Sequence, residues 1–135
     1  MDDRVSNRSP DQRIGTLFAN RYELEALLGE GAMGAVYRAR HARIGRMFAI
    51  KVLHPRLSTP KVIQRFEREA ELAGRLQHPN VVAVVDLSTT ETGDLYLVMD
   101  FVDGTPLVDL LGEAPMPTER VIWLARQLCE GLDHA

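Results

Sequence analysis

The chain has 135 residues, the size of one small domain or of part of a larger one. Sixteen Lys and Arg against 19 Asp and Glu leave a net charge of −3, which implies neither nucleic acid nor an anionic membrane surface as a partner. The longest aliphatic run, residues 81–85, is far short of the ~20 apolar residues that cross a bilayer. Residues 1–10 are polar and lack the apolar stretch of a secretory signal. A single Cys129 excludes an internal disulfide, so a reducing compartment, the cytosol, is the expected location. His41, His54, His78 and His134 are too scattered for the paired spacing of a zinc site.

Residues 1 to about 13 are Asp, Arg, Ser, Asn and Pro with little to bury. They predict a disordered leader, carried to residue 20. Tyr22, Leu24 and Ala26 then alternate with Glu23 and Glu25, the period of a half-buried strand. A glycine-rich segment follows at 28–34, and a second strand over 35–40. Ile44-Gly45-Arg46 reads as a turn, and residues 47–53, apolar except for Lys51, as a third strand. Pro55 and Pro60 punctuate the chain before a helical period over 61–76. Gln77-His78-Pro79-Asn80 stops that helix. Strands are predicted over 81–87 and 95–101, separated by a turn at 91–94. A short helix over 105–111 and a last helix from about Thr118 complete the order. Three strands, a helix, two strands and two helices point to an α+β fold with a five-stranded antiparallel sheet, and away from a doubly wound one.

Gly29, Gly31 and Gly34 match G-x-G-x-x-G. A flexible hairpin turn gives the same match. A dinucleotide fold needs a helix after the last glycine and an acidic residue ~20 positions on. Here a strand follows, and that position holds Lys51. The dinucleotide reading fails, whereas a glycine loop between antiparallel strands can lie over a phosphate chain. Lys51 is either an edge lysine whose ammonium reaches water or a phosphate ligand on the inner face. On a helical wheel for 61–76, Val62, Phe66, Ala73 and Leu76 form a stripe with Glu69 at its centre. Glu67 and Glu71 fall on the other side, with Arg68 and Arg75. A carboxylate on an apolar stripe calls for a partner, and Lys51 is the candidate.

In series, Gly29-x-Gly31-x-x-Gly34-x-Val36, Ala49-Ile50-Lys51, Arg68-Glu69-Ala70 and His78-Pro79-Asn80 resemble the eukaryotic-like Ser/Thr protein kinases of bacteria, over residues 22–135. The resemblance implies a kinase N-lobe over 21–100, its sheet joined by one helix, αC, and a hinge with the start of a helical C-lobe over 101–135. It implies that ATP is covered by Leu28, Gly29, Glu30, Gly31, Ala32, Met33, Gly34, Ala35 and Val36. Lys51 would contact the phosphates and pair with Glu69. Val36 and Ala49 would sandwich adenine, with Met99 as gatekeeper. Asp100 and Val102 would offer hinge backbone groups, and Asp103 would lie near the ribose.

The departure is large. Neither an H-R-D catalytic loop nor a D-F-G metal motif occurs in the 135 residues. The chain therefore reads as a truncated kinase domain, inactive alone, whose Mg²⁺ ligands belong to the missing C-lobe. Its partners would be ATP and a protein substrate, and a kinase dimer is also expected to be open to it. A longer form could carry a membrane anchor. The competing readings are a non-catalytic N-lobe that binds and regulates a partner kinase, and an inactive relic.

Overall fold

A computed structural model describes residues 9–113 and 115–135. A 3-10 turn at Pro10–Arg13 precedes β1 (Leu17–Phe18), β2 (Tyr22–Glu30), β3 (Gly34–His41) and β4 (Met47–Leu53). After a second 3-10 turn come α1 (Pro60–Gly74), β5 (Val84–Thr89), β6 (Leu95–Asp100), α2 (Leu107–Glu113) and α3 (Thr118–His134). The strands form one antiparallel sheet in the order β1-β2-β3-β4-β6-β5.

The third predicted strand coincides with β4. It is apolar apart from Lys51 because both of its faces are covered. Phe48, Ile50 and Val52 pack with Tyr22, Leu24, Tyr37, Ala39, Tyr96 and Val98 on one face. On the other, Leu53 joins Leu95 and Leu97 beneath Phe66 and Ala70 of α1. The alternation at 22–25 also holds, with Tyr22 and Leu24 buried and Glu23 exposed. Beyond Leu24, register shifts at Leu24/Ala26 and Leu27/Gly29 break the period, as bulges do, and β2 runs on to Glu30. The fourth predicted strand begins late, at Val84. The Val81 amide still bonds the His78 carbonyl (3.0 Å), which holds 78–81 in a turn.

Helix α1 opens where the sequence asks for it. Thr59 accepts a hydrogen bond from the Val62 amide, and Pro60 occupies the first turn. Helix α3 meets the rest of the chain through the His-Pro-Asn segment. Asn80 Nδ2 donates to the Gln127 carbonyl (3.0 Å), the Asn80 amide donates to His78 Nδ1 (3.0 Å), and Gly131, buried, lies against Val81 and Asn80. Among the described residues no helix is long and apolar enough to cross a membrane.

The predicted leader needs correction. Residues 1–8 lie outside the described residues, but from Pro10 onward the chain is tied to the sheet, which has six strands where five were expected. Arg13 is buried and grips Asp94, Nη1 to Oδ2 and Nη2 to Oδ1, both at 3.3 Å. The Gly15 amide bonds the Leu24 carbonyl and the Leu24 amide the Thr16 carbonyl (2.7 and 3.1 Å). Phe18 stacks edge-on against Tyr96 with ring centroids 5.0 Å apart. Tyr37 Oη donates to the Pro10 carbonyl (3.2 Å). Burial pushes the Tyr37 phenol above its ordinary range, with Arg13 pulling weakly the other way. Composition read this segment as having nothing to bury. It could not show that an arginine would find a carboxylate 81 positions away.

Candidate functional site

The glycine segment spans the β2–β3 connection. Gly29 pairs with Val36 across the hairpin, and the Gly31 amide closes the turn on the Gly34 carbonyl (2.9 Å). The three glycines serve different ends. A Cβ on Gly34 would stand 2.1 Å from the Val52 carbonyl oxygen, so β3 approaches β4 there too closely for any side chain. Gly29 and Gly31 face open space, with nothing within 4 Å. Gly34→Ala is therefore expected to lower the free energy of unfolding by about 1–3 kcal/mol, as overpacking does. Gly29→Ala and Gly31→Ala should stay within about 0.5 kcal/mol of wild type. Urea unfolding of the three variants checks this ranking.

Under the turn lies a cavity of about 350 Å³, lined by Gly29, Glu30, Gly31, Ala32, Met33, Gly34, Val36 and Lys51. Eight of the residues expected at the site are thus brought together. The Ala32 and Met33 amides have no acceptor among the described residues. Such free N–H groups suit an anion. Lys51 is presented by β4 opposite Val36 on β3 and Leu97 on β6. Its ammonium lies 5.9 Å from the centre of the Phe66 ring.

Among the described residues the expected Lys51–Glu69 pair does not form, and the wheel that suggested it was centred wrongly. Phe66 and Ala70 are the buried residues of α1, with Val62 and Ile63 beside them. Glu69 sits one residue step, ~100°, from Ala70. Its side chain is 55% exposed and accepts a hydrogen bond from Arg65 Nε at 2.9 Å. Arg75 and Glu71 make the equivalent pair (2.6 Å). Leaving out Ile63 and Ala70 had swung the stripe toward the carboxylate. Such i,i+4 pairs are worth about 0.3–0.5 kcal/mol. Glu69→Gln and Glu71→Gln should accordingly shift the urea midpoint equally and slightly. A loss above about 1.5 kcal/mol at Glu69 alone would restore a buried role for it.

The remaining expected residues fall in four places. Ala49 and Met99 are register partners on β4 and β6, and Met99 packs against the cluster beneath α1. Leu28, Val102 and Asp103 are exposed. Ala35 is buried in the core on the opposite face of the sheet, so only its backbone belongs to the loop. Asp100 ends β6, where its amide bonds the Ala83 carbonyl (3.0 Å) and its Oδ1 accepts from Arg46 (2.6 Å). Sequence reasoning missed three residues here: Arg46, 54 positions from its partner; Phe66, whose ring faces the ammonium; and His54, which touches the glycine turn. For His54 a signal existed, since it directly follows the strand that carries Lys51.

A glycine turn and a lysine strand on one antiparallel sheet, with a helix over the same face, define the nucleotide-binding lobe of a protein kinase. The protein kinase domain family matches residues 22–135, and the chain belongs to that family. It is 39% identical over 132 residues to serine/threonine-protein kinase pkn3 of Myxococcus xanthus, covering 95% of this chain and 24% of that protein. It is also 39% identical to serine/threonine-protein kinase A of Synechocystis over 130 residues, covering 94% and 25%. Identity to PknJ of Mycobacterium tuberculosis is 42% over 122 residues, covering 90% and 20%. The crystal structure of the M. tuberculosis PknI kinase domain superposes with a TM-score of 0.70 at 32% identity, over 89% of this chain and 49% of that one. The chain thus spans about a quarter of those first two relatives and half of that solved domain.

Proposed function

We propose that this chain is the ATP-binding part of a serine/threonine protein kinase that moves the γ-phosphoryl of ATP to protein hydroxyls. The observation that carries the reading is the cavity in which the unpaired Ala32 and Met33 amides meet the Lys51 side chain. Among the described residues Lys51 has no carboxylate within ion-pair distance, so its charge is available to an anionic ligand. The residues present fit a nucleotide. Backbone donors and one ammonium suit the phosphates. Val36, Ala49 and Met99 offer an apolar wall to a base, and Val102 supplies exposed backbone beyond β6.

ATP, when bound, would supply the γ-phosphoryl group, with ADP as the leaving group. What these residues contribute is placement and charge: Lys51 neutralises phosphate oxygens, and the turn amides hold them in a site shielded by the loop. The family holds Mg²⁺ and the attacking hydroxyl with H-R-D and D-F-G residues, which these 135 residues do not contain. Residues 1–135 alone are therefore expected to transfer no phosphate.

The test is an assay of residues 1–135 with labelled ATP, Mg²⁺ and a generic basic protein, beside a fluorescent ATP analogue titration and light scattering. Weak nucleotide binding without transfer is expected. Self-association is expected too, because Val108, Leu111, Ile122, Trp123, Leu128 and Leu132 are all more than half exposed. Transfer by a monomer of this chain would overturn the proposal that the absent motifs are essential. Reading the coding sequence past Ala135 separates the enzyme, whose frame continues into those motifs, from a stand-alone regulatory module.

A further inference from the structure

The geometry points to His54 as a positioning residue that sets the polarity of the glycine turn, an inference that rests on the nucleotide reading of the cavity. His54 follows β4 directly and reaches the turn with two groups. Its amide donates to the Met33 carbonyl (3.0 Å). Its ring Nε2 donates to the Gly31 carbonyl (3.2 Å), with Glu30 Oε1 at 3.8 Å from the same nitrogen. The Gly34 carbonyl is already taken by the Gly31 amide (2.9 Å). Of the four carbonyls from Gly31 to Gly34, three are thereby drawn into bonds within the protein, two of them by His54.

Among the described residues the amides of Ala32 and Met33 are left without acceptors. A turn of glycines is flexible and has no intrinsic preference for presenting donors. If the Gly31 carbonyl swung toward the cavity it would place a partial negative charge beside the phosphates. His54 removes that option: it holds the oxygen and leaves the N–H groups for the anion. The imidazole is mostly shielded, with 20% of its side chain exposed, so water competes weakly for the bond. His54 does not line the cavity and touches no reacting atom; it acts through the loop.

The experiment compares wild type, His54→Phe and His54→Gln in the protein as its gene encodes it. Phenylalanine keeps the ring volume and loses the donor. Glutamine places an amide N–H near the position of Nε2. Three quantities are read: affinity for a fluorescent ATP analogue, amide hydrogen exchange of the nucleotide-free protein, and melting temperature. His54→Phe should weaken nucleotide binding about five- to tenfold, the scale of one net hydrogen bond between neutral groups. It should also speed exchange at the Gly31 amide. His54→Gln should recover most of each effect at an unchanged melting temperature. Faster Gly31 exchange with unaltered nucleotide affinity would overturn the inference while leaving the nucleotide site intact. Unaltered exchange would overturn it directly. A wild-type protein that binds no nucleotide would overturn the functional proposal and this inference with it.

Discussion

Replacing Arg13 with alanine is expected to cost about 3–5 kcal/mol of folding stability, the loss seen when one member of a buried ion pair is removed. The guanidinium and the Asp94 carboxylate bond through both nitrogens and both oxygens, and their side chains are 8% and 2% exposed. Without Arg13, Asp94 keeps a buried charge with the Thr92 hydroxyl as its remaining donor among the described residues. A domain of ordinary stability, about 5–15 kcal/mol, loses a large share of its margin. Urea unfolding measures the effect. Changing both partners together, Arg13→Met with Asp94→Leu, should recover most of it, because no lone charge remains. A single-variant loss under about 1 kcal/mol would mean that water reaches the carboxylate. The same logic applies to a protein trimmed to begin at Tyr22, where the family match begins. It would lose Arg13 and also Phe18 from its place against Tyr96.

On the proposed function, Lys51→Met should nearly abolish phosphoryl transfer by a completed kinase domain, while the native fold persists. Phosphoryl transfer draws its rate from positioning and charge stabilisation. Among the described residues Lys51 is the one ammonium lining the cavity. Methionine matches the stem of the lysine and can rest on the Phe66 ring that now faces the ammonium. A variant that keeps more than a tenth of the wild-type kcat/KM, a loss below about 1.4 kcal/mol, would remove Lys51 from the mechanism. Circular dichroism and urea midpoints alongside distinguish a lost charge from a lost fold.

Much of this architecture could be read in advance, for local reasons. β4 announced itself as an apolar run of strand length, α1 by its threonine cap and following proline, and the glycine turn by its spacing between two β-prone segments. The errors have two other causes, a partner distant in sequence and the phase of one helix. The 3-10 turn and β1 exist because Arg13 and Phe18 find Asp94 and Tyr96, and nothing in residues 9–18 names those partners. Glu69 was placed by a wheel that omitted Ile63 and Ala70, and a shift of one residue on α1 decides whether a carboxylate faces sheet or solvent. The cavity members were legible as a motif. That Gly34 is demanded by the Val52 carbonyl, and Gly29 by no neighbour at all, required the backbone.

The position of β6 between β4 and β5 has a consequence for the birth of the protein. β2, β3 and β4 can pair as soon as they are made, but the second neighbour of β4 is β6, so that Lys51 awaits Leu97, 46 positions later (97 − 51). At 5–20 residues per second, synthesis of that stretch takes roughly 2–9 s. Throughout it β4 is an open edge carrying Met47, Phe48, Ala49, Ile50, Val52 and Leu53, a ready template for pairing with another nascent chain. Lys51 is the single charge on that edge. A central lysine is a common guard against such pairing. Besides the phosphate-binding role proposed for it, Lys51 thus guards the unfinished sheet, and Lys51→Met should lower the yield of refolding at high protein concentration even where the folded molecule is unchanged.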